Sequence, residues 1–295
     1  MFEYIDILQE ELSSFRPLSP ACLRRLSEDF MIKYTYDSNA IEGSTLTHDE
    51  TYIVIKEGVT VSGKPLKDHL DAVGHRDAYY YIEDLVKGKK SLDENVIKKI
   101  HYFAFMSGGE ERGVYRDVQN YVGFFTPCPP AEVSHRMSDL IHKYNNDYCN
   151  MHVIERAAVF HLAFEAIHPF VDGNGRTGRL LLNFELMKNG LPPINVKFTD
   201  KLKYLSAFSF FHDNNENPKE MIKLVYEYSV QELNRYVGIY KEASRLNGGV
   251  KDKRRSQEEY FFAIGDAKVS EGVVQLDSPA RSASADNNRS NHHNK

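Results

Sequence analysis

Apolar residues recur three and four positions apart through most of this chain, and that spacing confines it to a mostly helical fold. The segments LRRLSEDFMIKYTYDSNAIE, SLDENVIKKIHYFAFM, VIERAAVFHLAFEAI, TGRLLLNFELMKNG and EMIKLVYEYSVQELNRYVGIYKEASR all carry it. Several helix ends are legible. Gly43 and Gly190 each follow a periodic segment where a left-handed cap fits. Thr47 with Glu50 reads as a capping box opening TLTHDETYIVIKEG. The exception is GVYRDVQNYVGFFTPCPP, residues 113 to 130, whose β-branched and aromatic residues are punctuated by glycine and closed by prolines. It reads as a short β-hairpin or extended loop. From about Asn247 the chain turns small and polar, ending SPARSASADNNRSNHHNK, a composition that buries no core.

Composition narrows the function classes. A net charge of -5 with both signs interspersed offers no basic field for nucleic acid, and no apolar run approaches the roughly 20 residues that span a bilayer. The amino-terminal MFEYIDILQEELSSFRP is acidic and amphipathic, without the positive start and apolar centre of a secretory signal, so a cytoplasmic location is expected. Cys22, Cys128 and Cys149 are odd in number and widely spaced, which suggests neither a disulfide framework nor a zinc site.

One stretch holds more chemistry than a core helix needs: HPFVDGNGRTGRLLLN, residues 168 to 183. Pro169 ends the preceding helix and leaves His168 at its terminus. The glycines of DGNG tolerate positive φ, so successive backbone N–H groups can form an anion nest. The next helix adds the positive end of its dipole at the same place. Arg176 and Arg179, three apart, share a face, with Asn183 one turn further on. Guanidinium forks suit phosphate oxygens, Asp172 suits Mg²⁺ bridging them, and a histidine suits proton transfer at neutral pH. Base, metal ligand, nest and charge clamp together point to phosphoryl or nucleotidyl transfer. Two other readings exist. One is a plain helix–loop–helix corner; the other is a metal site of His161, Glu165 and His168, weaker because His168 is wanted elsewhere.

The stretch HPFVDGNGRTGR resembles the active-site motif HPFxDGNGRxxR of the Fic family, whose members transfer AMP from ATP to hydroxyl side chains of proteins. The similarity covers roughly residues 30 to 230. It implies a Fic-type helical core with a short β-hairpin flap, preceded by a helical region: residues 1–90 with an inhibitory helix at about 24–43, a Fic domain at 91–230, a helical extension at 231–270 and a disordered tail at 271–295. It implies His168 as base, Asp172 as ligand of Mg²⁺ or Mn²⁺, and Gly173, Asn174 and Gly175 as the phosphate nest. Arg176 would act near the α-phosphate and Arg179 would hold the γ-phosphate. Phe170 would be a packing anchor, and Val122, Gly123, Phe124, Phe125 and Tyr204 would meet the nucleotide. For the adenine, FFHDNNENP offers Asn214, Asn215 or neither.

A second motif, SNAIEG, matches the family's inhibitory pattern [S/T]xxxE[G/N], with Ser38, Glu42 and Gly43 in register. Ser38 and Glu42 lie four apart, on one helical face, and a carboxylate at the helix end can pair with Arg179 where the γ-phosphate belongs. The resemblance implies an autoinhibited adenylyltransferase and a homodimer. Removal of AMP at the same site, or nucleotide binding without transfer, are the alternatives. A glycine at position 175, where one branch of the family has lysine, disfavours phosphorylation.

Overall fold

The computed structural model describes residues 2–246 apart from Arg16 and Phe124. Among these residues ten α-helices follow in chain order: α1 Glu3–Ser14, α2 Pro20–Ile41, α3 His48–Glu57, α4 Leu66–Lys87, α5 Glu94–Ala104, α6 Val133–Asn146, α7 Val153–Ile167, α8 Asn174–Lys188, α9 Lys201–Asp213 and α10 Lys219–Leu246.

The chain ends its helices where the local chemistry requires. Ser19 caps α2, with Pro20 at its first position. Thr47 and Glu50 form the complete capping box of α3. Gly43, at φ 94°, and Gly190, at φ 79°, supply the left-handed residues after α2 and α8. The inhibitory-helix segment expected at about 24–43 is longer at its start and stops at Ile41, leaving Glu42 as the C-cap.

α7 and α8 are the axis of the molecule because both are buried on nearly every side. On one side Ile154, Ala158 and Leu162 of α7 and Leu182 and Leu186 of α8 join a core shared with α1, α9 and α10. On the other, Phe160 and Phe164 with Leu181 and Phe184 join a second core built from α2, α4, α5 and α6. The turn joining α7 to α8 is therefore anchored from both sides.

Two expectations are corrected here. Helix α8 begins at Asn174, three residues earlier than the periodicity places it, because Gly173 in the left-handed region serves as its N-cap. The segment 113 to 130 holds no strand ladder among its described residues. Its one β feature is a single antiparallel bridge between Val122 and Phe125, so it is an extended loop with a tight tip. Helix α10 runs unbroken through position 230 to Leu246; the rest of the expected 231–270 extension and the 271–295 tail lie outside the described residues.

Candidate active site

The motif loop is built from His168 upward. His168 is the C-cap of α7 in the left-handed conformation, φ 51° and ψ 61°, a strained position for a residue with a side chain. Its carbonyl is held by Arg116, whose Nε donates at 2.8 Å, and the same guanidinium reaches the carbonyls of Val118, at 3.0 Å, and Ile167, at 3.3 Å. Arg116 thus satisfies the orphan carbonyls of α7 and ties the flap to the end of that helix. Asn120 adds a second tie, donating to the carbonyls of Phe170 and Val171.

The loop's shape comes from Asn174. Its Oδ1 accepts from Phe170 N at 2.9 Å and its Nδ2 donates to Phe170 O at 2.8 Å, closing the turn on itself. The side chain is buried, so Asn174 shapes the nest from behind and its amide is not offered to a ligand. His101, stacked on Phe170 at 3.7 Å, accepts from Gly113 N through Nδ1 and meets Asp172 O through Nε2 at 2.8 Å. Burial lowers its pKa to about 4, which keeps the ring neutral and fixes this donor–acceptor order. Gly173 is needed beneath it: a Cβ there would lie 3.1 Å from His101 Nε2 and from Phe105 Cβ.

Arg176 and Arg179 do point back toward the loop, and both are buried. Arg176 Nη1 pairs with Asp71 Oδ2 of α4 at 2.7 Å, and its Nη2 lies 3.9 Å from Asp172. Arg179 is held by α2: Nε donates to Ser38 Oγ at 3.0 Å, and Nη2 donates to Ser38 O at 2.8 Å and to Glu42 Oε1 at 2.7 Å. Burial pushes the Arg179 pKa down, but Glu42, Tyr204 and Tyr34 together outweigh this and hold the group charged, above its ordinary value.

The Glu42 carboxylate sits directly over the start of α8. A Cβ built on Gly175 would fall 2.2 Å from Glu42 Oε1, so only glycine leaves room for it. A helix N-terminus with an adjacent guanidinium is the place an anionic oxygen prefers, and here the carboxylate of α2 fills it.

Asp172 is half-buried. Burial raises its pKa, and Arg176, the Gly173 N–H and Lys67 outweigh that and lower it, so it is a carboxylate. Its Oδ1 accepts from Gly173 N, and Oδ2 lies 3.4 Å from Lys67 Nζ. One hard carboxylate oxygen at the mouth of an anion nest fits a magnesium ion that takes its remaining ligands from phosphates and water. The alternative triad does not assemble, since His161 Nε2 is committed to Tyr204 Oη at 2.8 Å. Among the described residues no group of three such side chains is placed to hold an ion.

Other expected contacts are sorted by the structure. Phe125 stacks on His212 with centroids 4.2 Å apart and meets His168 edge-on at 6.4 Å, so this loop lies against His168. Val122 is half-buried and Gly123 exposed at the tip, while Phe124 lies outside the described residues. Tyr204 is buried and bonded to His161, with the Arg179 guanidinium 5.7 Å from its ring. Asn183 turns away and bonds both ways to the Ile194 backbone. Asn214 closes the end of α9 by donating to Phe210 O.

Residues 91–186 match the profile of the Fic/DOC family. The protein adenylyltransferase fic-1 of Caenorhabditis elegans is 31% identical over 267 residues, covering 88% of this chain and 51% of the relative. The protein adenylyltransferase Fic of Nematostella vectensis is 32% identical over 212 residues, 69% of this chain and 48% of the relative. The chain belongs to the Fic family. It spans about half the length of the curated relatives it matches. Among solved structures, a Fic domain containing signaling protein from Bacteroides thetaiotaomicron superposes with a TM-score of 0.75 at 27% identity, over 81% of this chain and 98% of that one. Fic-1 (residues 134 to 508) from C. elegans gives 0.74 at 26%, over 82% and 72%. The helical Fic fold is therefore shared with both.

Asp71, His101 and Arg116 are site residues with no signal in the sequence. Each lies tens of residues from the motif, so nothing in its local spacing marks it.

Proposed function

We propose that this chain is an autoinhibited protein adenylyltransferase that moves AMP from ATP to Ser, Thr or Tyr hydroxyls of target proteins and of itself. The observation that carries the reading is the 2.7 Å pair between Glu42 Oε1 and Arg179 Nη2, with that carboxylate lying over Gly175 at the start of α8. An acid and a γ-phosphate compete there for one guanidinium and one helix N-terminus. ATP binds productively only when Glu42 leaves.

With ATP in place, the N-terminus of α8 and Arg179 receive its phosphates, and Arg176, steadied by Asp71, faces the charge that develops at the α-phosphate. The target oxygen bonds to the α-phosphorus, the bond to the β-phosphate oxygen breaks, and the hydroxyl proton passes to His168. Asp172 would hold Mg²⁺, which supplies charge neutralisation for the leaving pyrophosphate. Wild type, Glu42→Gly and His168→Ala incubated with Mg²⁺ and α-labelled or γ-labelled ATP separate the roles. Label from the α position alone, in Glu42→Gly and not in His168→Ala, supports the reading; γ-label in the protein, or equal labelling of both variants, contradicts it.

One observation favours a second activity. The Glu42 side chain is 36% exposed, so it is open to water while Oε1 holds Arg179. A carboxylate so placed can orient a water to remove AMP from a modified protein. Release of AMP that continues undiminished in Glu42→Gly would exclude this role.

A further inference from the structure

The motif histidine has a buried acidic neighbour that the mechanism so far leaves unused. Glu165 lies one turn before His168 on α7, and its Oε2 is 3.6 Å from His168 Nδ1, an ion-pair separation. Nδ1 is buried and has no closer hydrogen-bond acceptor. Glu165 itself is buried, and its Oε1 is also without a partner. Room for this carboxylate in the interior exists only because position 178 on α8 is glycine: a Cβ there would lie 2.4 Å from Glu165 Oε1 and 2.9 Å from His161. A charged acid is costly inside a protein unless partners hold it. Burial raises the Glu165 pKa, yet His168, His161 and Arg179 together bring it below its ordinary value, so it remains a carboxylate.

Resting on the transferase reading above, we propose that Glu165 is the positioning residue of the base: it accepts a hydrogen bond from His168 Nδ1–H, fixing the tautomer whose Nε2 takes the proton. The geometry is that of an acid oriented behind an imidazole, with the 3.6 Å separation closing to a hydrogen bond as substrate docks. When the target hydroxyl bonds to the α-phosphorus, its proton moves to Nε2 and the imidazole becomes cationic. The Glu165 carboxylate then stands opposite that charge, and no proton leaves Nδ1. His161 supports the arrangement from the next turn. Its Nε2 is engaged by Tyr204, and burial lowers its pKa to about 4, so it is a neutral neighbour that does not compete for the carboxylate as a cation.

The test is made on the full chain in the Glu42→Gly background, with Glu165→Ala and the near-isosteric Glu165→Gln. Self-adenylylation kcat is expected to fall roughly 10- to 100-fold in Glu165→Ala, by analogy with residues that orient another ligand or base, and less in Glu165→Gln. ATP affinity, read by calorimetry, stays within about twofold for an orienting role. The ¹⁵N spectrum of histidine-labelled protein is expected to show His168 protonated at Nδ1 in the parent and a mixture of tautomers in Glu165→Ala. Unchanged kcat in both variants, a loss that merely follows ATP affinity or melting temperature, or an unchanged tautomer overturns the proposal. If the Glu42→Gly parent itself transfers nothing, the transferase reading fails, and the tautomer spectrum still decides whether Glu165 positions His168.

Discussion

At the scale of single residues, the site sets buried guanidinium groups against carboxylates from other parts of the chain. Arg176 illustrates the cost of breaking such a pair: its guanidinium is almost fully buried and Asp71 is its counter-charge at 2.7 Å. Asp71→Ala leaves that charge only the more distant Asp172, 3.9 Å away, and is expected to cost about 3 kcal/mol, measured by urea unfolding. Asp71→Asn keeps an oxygen for the Ser107 N–H that Asp71 accepts at 3.1 Å and should cost less. The motif residues were legible because their chemistry is local: His168, Asp172, Gly173, Gly175, Arg176 and Arg179 lie within one turn and one helix start. Asp71 was not legible, because an aspartate amid the polar face of a helix looks the same whether it meets water or a guanidinium from 105 residues away. Glu42 was legible only through its register with Ser38 and Gly43.

At the scale of elements, the turn between α7 and α8 depends on two things: close helix approach and a flap pinned at its root. Gly178→Ala places a methyl within 2.4 Å of Glu165 Oε1 and 2.9 Å of the His161 ring, so it should push α7 and α8 apart and cost roughly 1–3 kcal/mol by thermal or urea unfolding. Arg116→Met removes the donor that joins Val118, Ile167 and His168, so amide exchange across residues 117–123 is expected to accelerate at least tenfold while α7 stays protected. Unchanged exchange there would mean that the flap is held elsewhere. Helix identities are readable from the period of apolar residues, as in α5. In residues 113–130 the sequence leaves hairpin and extended loop open, since aromatic and β-branched residues signal an extended backbone and say nothing about whether a second strand exists to pair with; among the described residues the loop is the outcome.

At the scale of the whole molecule, two cores share α7 and α8, and buried histidines lie on both sides of that axis. His75 and His161 are held below the ordinary 6.5 by burial first, His161 at about 4. In the unfolded chain each binds a proton near 6.5, so between that value and 4 the unfolded state carries more protons than the folded one. Stability is therefore fully present above about 6.5 and is lost as pH falls toward 4, with His161 contributing on the order of 3 kcal/mol. Urea unfolding at pH 7 and pH 4.5 should show the drop; constant stability across that range would mean that the two rings are reachable by protons in the folded state. No helix among the described residues is long and apolar enough to cross a membrane. The sharing of α7 and α8 between two cores was hidden in the sequence, because apolar positions on every side of a helix do not say which partner covers which side.

The central claim is that Glu42 and ATP compete for Arg179 and the start of α8. Its most direct measurement is an intact-mass time course of the wild-type chain and Glu42→Gly with Mg²⁺ and ATP, scored for addition of AMP. Glu42→Gly is expected to gain AMP at least tenfold faster than wild type, roughly the 1.4 kcal/mol that a single competing ion pair can supply. Equal rates in the two proteins would contradict it.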